Sequence, residues 1–421
     1  MNFRHSKRLA LGLLALSLVH WPAVARANPE APAFDARAVG MGGTGLAFLD
    51  SPAALFHNPA NLVGIKRFEA SVSATLIGVD LAAPVRGDGT TSHTGLSLAP
   101  LVLVGAARRF SDRLVVGFGA YLNTGYGGRF ANVTRIAGYD LASPQDQSAL
   151  LFIGELSLPV AYRMSDKLDL GFSLRLPYGR QAASVTQEIY PDAWVPVQQS
   201  VSGFGLPGVL VGATYRPTPN LALALTYRSK VVIQMRGQTS LTLSDGDVPL
   251  QSPTRTSWSV PHALGFGVAY HALSDRLLTT AELRVQFHRE ANREQVLRVA
   301  DERIVVPLEW KNVYSGRIGA EWMAGDVPLR IGYNLSTSAS RARAMQSFMP
   351  PPGLLQAFYA GFGISVADFE LDFAVSYSFG SQEVPAVDGR CLLGERVKVG
   401  CAGRYAVRAG WLAFSVRYAA P

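Results

Sequence analysis

The chain has 421 residues, of which 48% are apolar and 17% charged, with 41 Gly, 25 Pro and a formal net charge of +8. That apolar content excludes a disordered chain, and charge well below the roughly 25% of soluble globular proteins argues against an ordinary soluble one. Beyond the first 20 residues no apolar run reaches the roughly 18 residues a spanning helix needs, which excludes a helical membrane protein.

Residues 1–27 read as a secretory signal: basic Arg4, Lys7 and Arg8, an apolar run from Leu9 to Val19, then Ala25-Arg26-Ala27. Its removal would take four basic residues and leave 35 Lys and Arg against 31 Asp and Glu, a balance of +4. No basic block with interleaved aromatics remains, so a nucleic-acid partner is not expected.

Residues 28–65 lack a strand period. They hold the Gly-rich run Ala38–Gly45 and the stretch Asp50–Ala60, which ends in Asn58-Pro59-Ala60. Gly40, Gly42 and Gly45 match GxGxxG formally, but no strand precedes them and no βαβ unit follows, so a dinucleotide site is rejected. Asp50-Ser51-Pro52 is placed to cap a short helix, which Pro59 would end near Asn58. Tight turns and close backbone approach suit a segment folded inside a barrel.

From Phe68 onward the period is two. In Phe369–Phe379, Phe369, Leu371, Phe373, Val375, Tyr377 and Phe379 alternate with polar Glu370, Asp372, Ser376 and Ser378. Strands are expected near 66–81, 94–110, 113–124, 149–163, 168–180, 204–216, 220–243, 257–271, 277–298, 308–323, 328–337, 355–366, 369–380 and 404–418. Most are long enough to span a bilayer at a tilt, whereas soluble strands average five or six residues. Short turns alternate with longer connections at 82–93, 125–148, 181–203, 244–256, 299–307, 338–354 and 381–403, the pattern of an outer-membrane barrel. The expected fold is therefore all-β: a 14-stranded antiparallel transmembrane β-barrel over 66–421, with its apolar faces against outer-membrane lipid. Glu155, Arg163, Arg228, Lys230, Glu282, Arg284, Arg317, Glu321, Glu370 and Asp372 should point into the lumen. Tyr162, Tyr178, Tyr215, Tyr227, Trp310, Trp322 and Trp411 are assigned to the interfacial girdles. Cys391 and Cys401, ten positions apart in an outer loop of an exported chain, should form a disulfide. With no His cluster or second Cys pair beside them, no metal site is expected.

The chain resembles the FadL/TodX outer-membrane transporters of long-chain fatty acids and other hydrophobic compounds. The resemblance rests on Ala38–Gly45, on Asp50–Ala60 with Asn58-Pro59-Ala60, and on the phrases Leu158–Arg163, Asp166-Lys167-Leu168, Tyr227–Lys230 and Val260-Pro261-His262. It implies that 28–65 is an N-terminal hatch plugging the barrel lumen. Ligand would be captured at the outer loops, pass to a lumenal pocket near the hatch, and leave sideways through a kink in strand three. Gly117 and Gly119 lie in that strand; they mark either the kink or room made for the hatch. Two departures stand out. The chain continues past Tyr418 through Ala419-Ala420-Pro421, and loop 181–203 offers only Tyr190, Trp194, Val195 and Val197 as greasy surface. A related group of barrels with a similar opening serves protein secretion, which leaves a non-transport interaction barrel for secretion or envelope organisation as the alternative.

A fatty acid needs an apolar tube and a cation. Arg228, Lys230, Arg284 and Arg317 are therefore candidates for its carboxylate, or else they pair with lumenal Glu residues. Phe34, Phe48 and Phe56 either line the pocket or pack the plug. Histidines are scattered, with no HExxH and no GxSxG elbow. No catalytic residue and no cofactor is expected, and the barrel is expected to work as a monomer in the bacterial outer membrane.

Overall fold

The computed structural model describes residues 31–190, 193–242, 250–385, 392–393 and 398–420. The expected signal segment 1–27 thus lies outside the described residues, as does Cys391; Cys401 is buried and disulfide-bonded. Fourteen staves form a closed antiparallel barrel. They are β1 (Phe68–Ala83), β2 (Ser97–Arg109), β3 (Leu114–Ile136), β4 (Tyr139–Ser165), β5 (Leu168–Tyr190), β6 (Ala193–Phe204 and Gly208–Thr218), β7 (Leu221–Arg228 and Val231–Leu241), β8 (Leu250–Val260 and Ala263–Ala272), β9 (Leu277–Gln286 and Glu294–Val299), β10 (Glu302–Pro307 and Val313–Ala324), β11 (Val327–Thr337), β12 (Leu354–Val366), β13 (Phe369–Val384) and β14 (Gly403–Ala419). β14 closes on β1 from Glu69↔Ala419 to Ala82↔Ala406. The residues past Tyr418 extend this seam, with Ala420 N donating to Phe68 O at 2.9 Å.

Two long connections expected from sequence are instead paired strand. Segment 125–148 is a hairpin turning at Ala137-Gly138, and 181–203 continues the β5–β6 ladder as far as Tyr190↔Ala193. Their apolar residues do not recur at every second position, as in Phe130, Val133 and Ile136 where the register shifts, so the alternation is weak although the backbone still pairs. Conversely, expected continuous strands are broken in five neighbouring staves, at Gly205–Pro207, Ser229-Lys230, Pro261-His262, Phe287–Arg293 and Leu308–Asn312. Pro207 and Pro261 cannot donate to a ladder, and in β9 a turn of helix, α3 (His288–Ala291), fills the break.

The outward faces carry the lipid belt, including Val72, Leu76, Phe118, Leu156, Phe172, Ile331 and Leu412. The inward faces are divided by height. On β1, Glu69, Ser71, Ser73 and Thr75 face inward near the short turns, whereas Ile77, Val79 and Leu81 do so farther up. β14 has Arg417 and Ser415 below and Trp411, Ala409 and Val407 above. On β1 and β14 the upper lumen is thus apolar, with uncharged Gln199, Thr239 and Gln295 facing it from β6, β7 and β9, and only the lower half has the expected charged lining. Trp411 and Trp310 are buried inside, the latter edge-on to Trp258 at 5.4 Å, rather than sitting in a girdle. Tyr162, Tyr215, Tyr227 and Trp322 are exposed on the outside.

Residues 31–65 occupy the lower lumen as α1 (Ala36–Gly40), α2 (Ala54–His57) and a 3-10 turn, Pro59–Gly64. Asp35 caps α1 through Arg37 N at 3.0 Å and Ala38 N at 3.3 Å. Asp50 does not cap α2, whose start has no side-chain cap; its carboxylate lies 3.5 Å from Arg37 and 3.6 Å from Arg417.

Candidate functional site

The hatch is seated in three notches, each made by two glycines directly opposite one another on neighbouring staves. Gly171↔Gly212 receives Asn58-Pro59-Ala60: a Cβ on Gly212 would land on Asn58 Oδ1, and one on Gly171 on Ala60 N. Gly319↔Gly332 receives Met41 and Gly42 in the same way. Gly105↔Gly119 receives the Leu55 side chain. Gly119 therefore makes room for the hatch, and it and Gly117 stand in the regular β2–β3 register, Ala107↔Gly117 and Gly105↔Gly119. The irregularity in β3 falls higher, where the register against β4 shifts between Leu122 and Thr124.

Polar contacts fix what the notches place. Asn58 donates to Leu46 O at 2.8 Å and Thr214 Oγ1 at 2.9 Å and accepts from Ala60 N at 3.1 Å. Glu282 accepts from Gly45 N and Leu46 N, both at 2.6 Å. Arg317 donates to Gly43 O at 2.8 Å and Pro32 O at 3.2 Å. Arg37 binds Glu321 through two nitrogens, at 2.9 and 2.8 Å, and Arg330 bridges Glu321 and Asp372, each at 2.6 Å. Near the periplasmic rim Arg109 holds Ile65 O at 2.8 Å and Val63 O at 2.5 Å. His57 lies among Arg317, Arg284 and Arg228; burial first and these cations second hold its pKa well below the usual imidazole value, so it is neutral. Replacing Asn58 with Ala should remove its bonds to Leu46 O, Thr214 Oγ1 and Ala60 N, leaving Asn61 to hold Leu46 O and Thr214, and cost about 1–3 kcal/mol of seating. Faster hydrogen exchange confined to residues 31–65 would register it.

The residues proposed for ligand are divided among separate tasks. Phe34 meets Phe56 edge-on at 4.8 Å, and Phe56 meets Tyr121 at 5.2 Å. Arg228 lies over Phe56 at 4.9 Å and donates to Tyr121 Oη at 3.2 Å. Phe48 packs at the edge of this cluster, under Arg37 at 5.3 Å. Arg284 follows Glu282 on the inward row of β9, whereas Lys230 stands at the break in β7, away from this group. The guanidinium groups of Arg228 and Arg317 are thus engaged with the hatch and its aromatic packing. Sequence reasoning missed Arg37, Arg175, Arg330, Asn61 and Tyr121. Arg175 pairs with Glu155 through two nitrogens at 2.8 and 2.6 Å, and both side chains are fully buried.

Above the hatch the wall itself is interrupted. β2 pairs with β1 as far up as Val79↔Ser97, but its ladder with β3 stops at Leu103↔Tyr121. Among the described residues, Ser97–Val102 is paired on one side only. The gap is closed above by the β1–β2 connection, where Ala137 N donates to Val85 O at 3.1 Å and Gly138 N to Arg86 O at 2.8 Å. At roughly 3.3 Å per residue, six unpaired residues make a window of about 20 Å. Leu98 and Val104 of β2 are exposed beside it, so it opens at the height of the lipid belt. Inside, Leu101 touches both the apolar upper lumen and the cluster of Phe34, Phe56, Leu103 and Tyr121 around the hatch. A cavity of about 60 Å³ lies between Ala31-Pro32 and the upper wall at Leu355 and Trp411, and a larger one of about 260 Å³ lies under the outer connections.

A family described as outer membrane protein transport protein (OMPP1/FadL/TodX) matches residues 22–419. Among solved structures, a Pseudomonas aeruginosa FadL homologue superposes with a TM-score of 0.81 at 16% identity, covering 93% of this chain and 99% of its own. The Pseudomonas putida toluene transporter TodX gives 0.74 at 15%, covering 92% and 99%. The Ralstonia pickettii toluene transporter TbuX gives 0.71 at 17%, covering 92% and 98%. No curated protein matches the sequence.

Proposed function

Because this chain belongs to the OMPP1/FadL/TodX family, it is a bacterial outer-membrane channel for hydrophobic compounds and not an enzyme, and we propose that its cargo leaves sideways through the β2–β3 window. Cargo enters beneath the outer connections, moves down the apolar upper lumen, is stopped by the seated hatch, and passes Leu101 into the surrounding bilayer. No energy source is needed, because a hydrophobic solute moves downhill from water to lipid.

The single observation that carries this reading is the end of the β2–β3 ladder at Leu103↔Tyr121, with Leu101 bridging the two apolar clusters. The fastened hatch below makes an axial exit costly. The ion-paired lower lumen is what an interaction barrel for secretion would also show, but such a barrel has no use for an apolar upper half opening toward lipid.

Leu101→Arg tests the route. A charge in an apolar passage must be desolvated or neutralised by each passing molecule, so uptake of a labelled hydrophobic compound into proteoliposomes should fall at least about tenfold, since a loss of 1.4 kcal/mol corresponds to that factor. Uptake equal to wild type, with a folded barrel, would contradict lateral exit. Toluene and oleate would be compared as cargo: both the fatty-acid and the aromatic readings are open to such a passage, and the preferred one shows the larger difference between wild type and variant.

A further inference from the structure

Resting on that channel reading, we propose that the 260 Å³ outer chamber is a binding site for uncharged hydrophobic molecules bearing one hydrogen-bond donor, such as alcohols and phenols, and that it discriminates against carboxylates. None of the described residues lining the chamber is charged. Its polar groups are amides and hydroxyls, among them a hydrogen-bonded chain along the inner faces of β5 to β9 and a separate Gln147–Thr186 pair. Gln295 Nε2 donates to Gln181 Oε1 at 2.6 Å and to Thr256 Oγ1 at 3.3 Å. Gln181 Nε2 donates to Gln199 Oε1 at 3.2 Å, and Gln199 Nε2 to Thr239 Oγ1 at 3.4 Å, which also receives Thr254 Oγ1 at 2.8 Å.

The three Gln side chains each donate through Nε2 and Thr254 donates through its hydroxyl, so the Gln295 end of the chain is left with an acceptor. Both donor contacts of Gln295 are engaged, while its Oε1 accepts from no described residue, although the side chain is 6% exposed and lines the cavity. An amide oxygen can accept two hydrogen bonds, and this one is open to a donor placed in the cavity that Gln295 lines. A hydroxyl entering the chamber can satisfy it. Trp194, itself stacked on Tyr139 at 5.4 Å, gives the apolar body a flat wall, with Leu297, Ile304 and Phe348 completing the enclosure.

A carboxylate would meet the opposite conditions. It carries only acceptors toward an open acceptor, and its charge is desolvated with no cation among the described lining residues to compensate. The arginines that could have served are committed below: Arg317 to Gly43 O and Pro32 O, Arg37 to Glu321. A plain hydrocarbon fits the apolar wall and simply forgoes the hydrogen bond.

The test is equilibrium dialysis of the purified full chain in detergent against naphthalene, 2-naphthol and 2-naphthoate at neutral pH. Naphthol should bind about fivefold more tightly than naphthalene, the value of one net hydrogen bond, and naphthoate at least about tenfold more weakly than naphthol. Gln295→Leu and Gln295→Met should each bring the ratio of naphthol to naphthalene affinity from about fivefold to about one, with folding of each variant read separately from its heat-resistant migration as a barrel. Naphthoate binding as tightly as naphthol, or a naphthol advantage that survives both variants, would overturn the inference and leave the channel reading intact. Failure of all three compounds to bind a folded barrel would overturn both.

Discussion

Gly212→Leu should unseat the hatch while leaving the barrel assembled. The substituted Cβ would occupy the position of Asn58 Oδ1, and Asn58 cannot move aside because Leu46 O and Thr214 hold it. The opposing stave offers no relief, since Gly171 is pressed equally closely against Ala60 N. Ordinary overpacking costs about 1–3 kcal/mol; here the obstacle is pinned backbone and a held amide, so the upper end or more is expected. About 3 kcal/mol raises the unseated population more than 100-fold. The ladder Gly171↔Gly212 needs only backbone, so strand pairing survives. The expected result is a heat-stable barrel with protease-sensitive residues 31–65 and new conductance to small hydrophilic solutes. A silent, protease-resistant variant would show that the glycine notch does not seat the hatch.

Glu282→Ala should act at the opposite side of the same plug. It removes the acceptor of two hatch amides, Gly45 N and Leu46 N, and the carboxylate 4.0 Å from buried Arg317. Taking one partner from a buried ion pair costs about 3–5 kcal/mol, because the remaining charge stays desolvated. Here Arg317 keeps its bonds to Gly43 O and Pro32 O, which favours the lower end. Glu282→Gln keeps an oxygen where both amides bond but loses the charge beside Arg317, and should recover part of the loss. Hydrogen exchange at residues 38–50, ordered Ala fastest, then Gln, then wild type, is the expected pattern; equal rates would remove Glu282 from the seating.

The period of two disclosed the staves because lipid imposes an apolar row wherever a strand crosses it. It could not disclose the upper lumen. In Leu76-Ile77-Gly78-Val79, Leu76 faces lipid and Ile77 and Val79 face inward, so alternation vanishes where both sides are apolar. The hairpin extensions in 125–148 and 181–203 were hidden because their apolar residues, such as Phe130, Val133 and Ile136, do not keep a spacing of two. Asn58-Pro59-Ala60 and the Gly-rich run were legible as a compact segment. Their seats were not, because Gly171 and Gly212 are distant in sequence and meet only through strand register. The lumenal arginines were correctly turned inward, but sequence alone does not say that Gly43 O or Tyr121 Oη would claim them. The window in the wall left no residue pattern of its own; it is an unmade ladder.

The most direct measurement of cargo passing through that window is photolabelling with a diazirine-bearing hydrophobic probe in native outer membranes, mapped by mass spectrometry with and without excess unlabelled competitor. Lateral exit requires competitor-sensitive labels on Leu101, Leu103, Tyr121 and Leu122, together with the outer chamber at Trp194 and Phe348. Labels on the periplasmic face of the hatch near Val63 and Ile65, with the β2–β3 edge unlabelled, would contradict it.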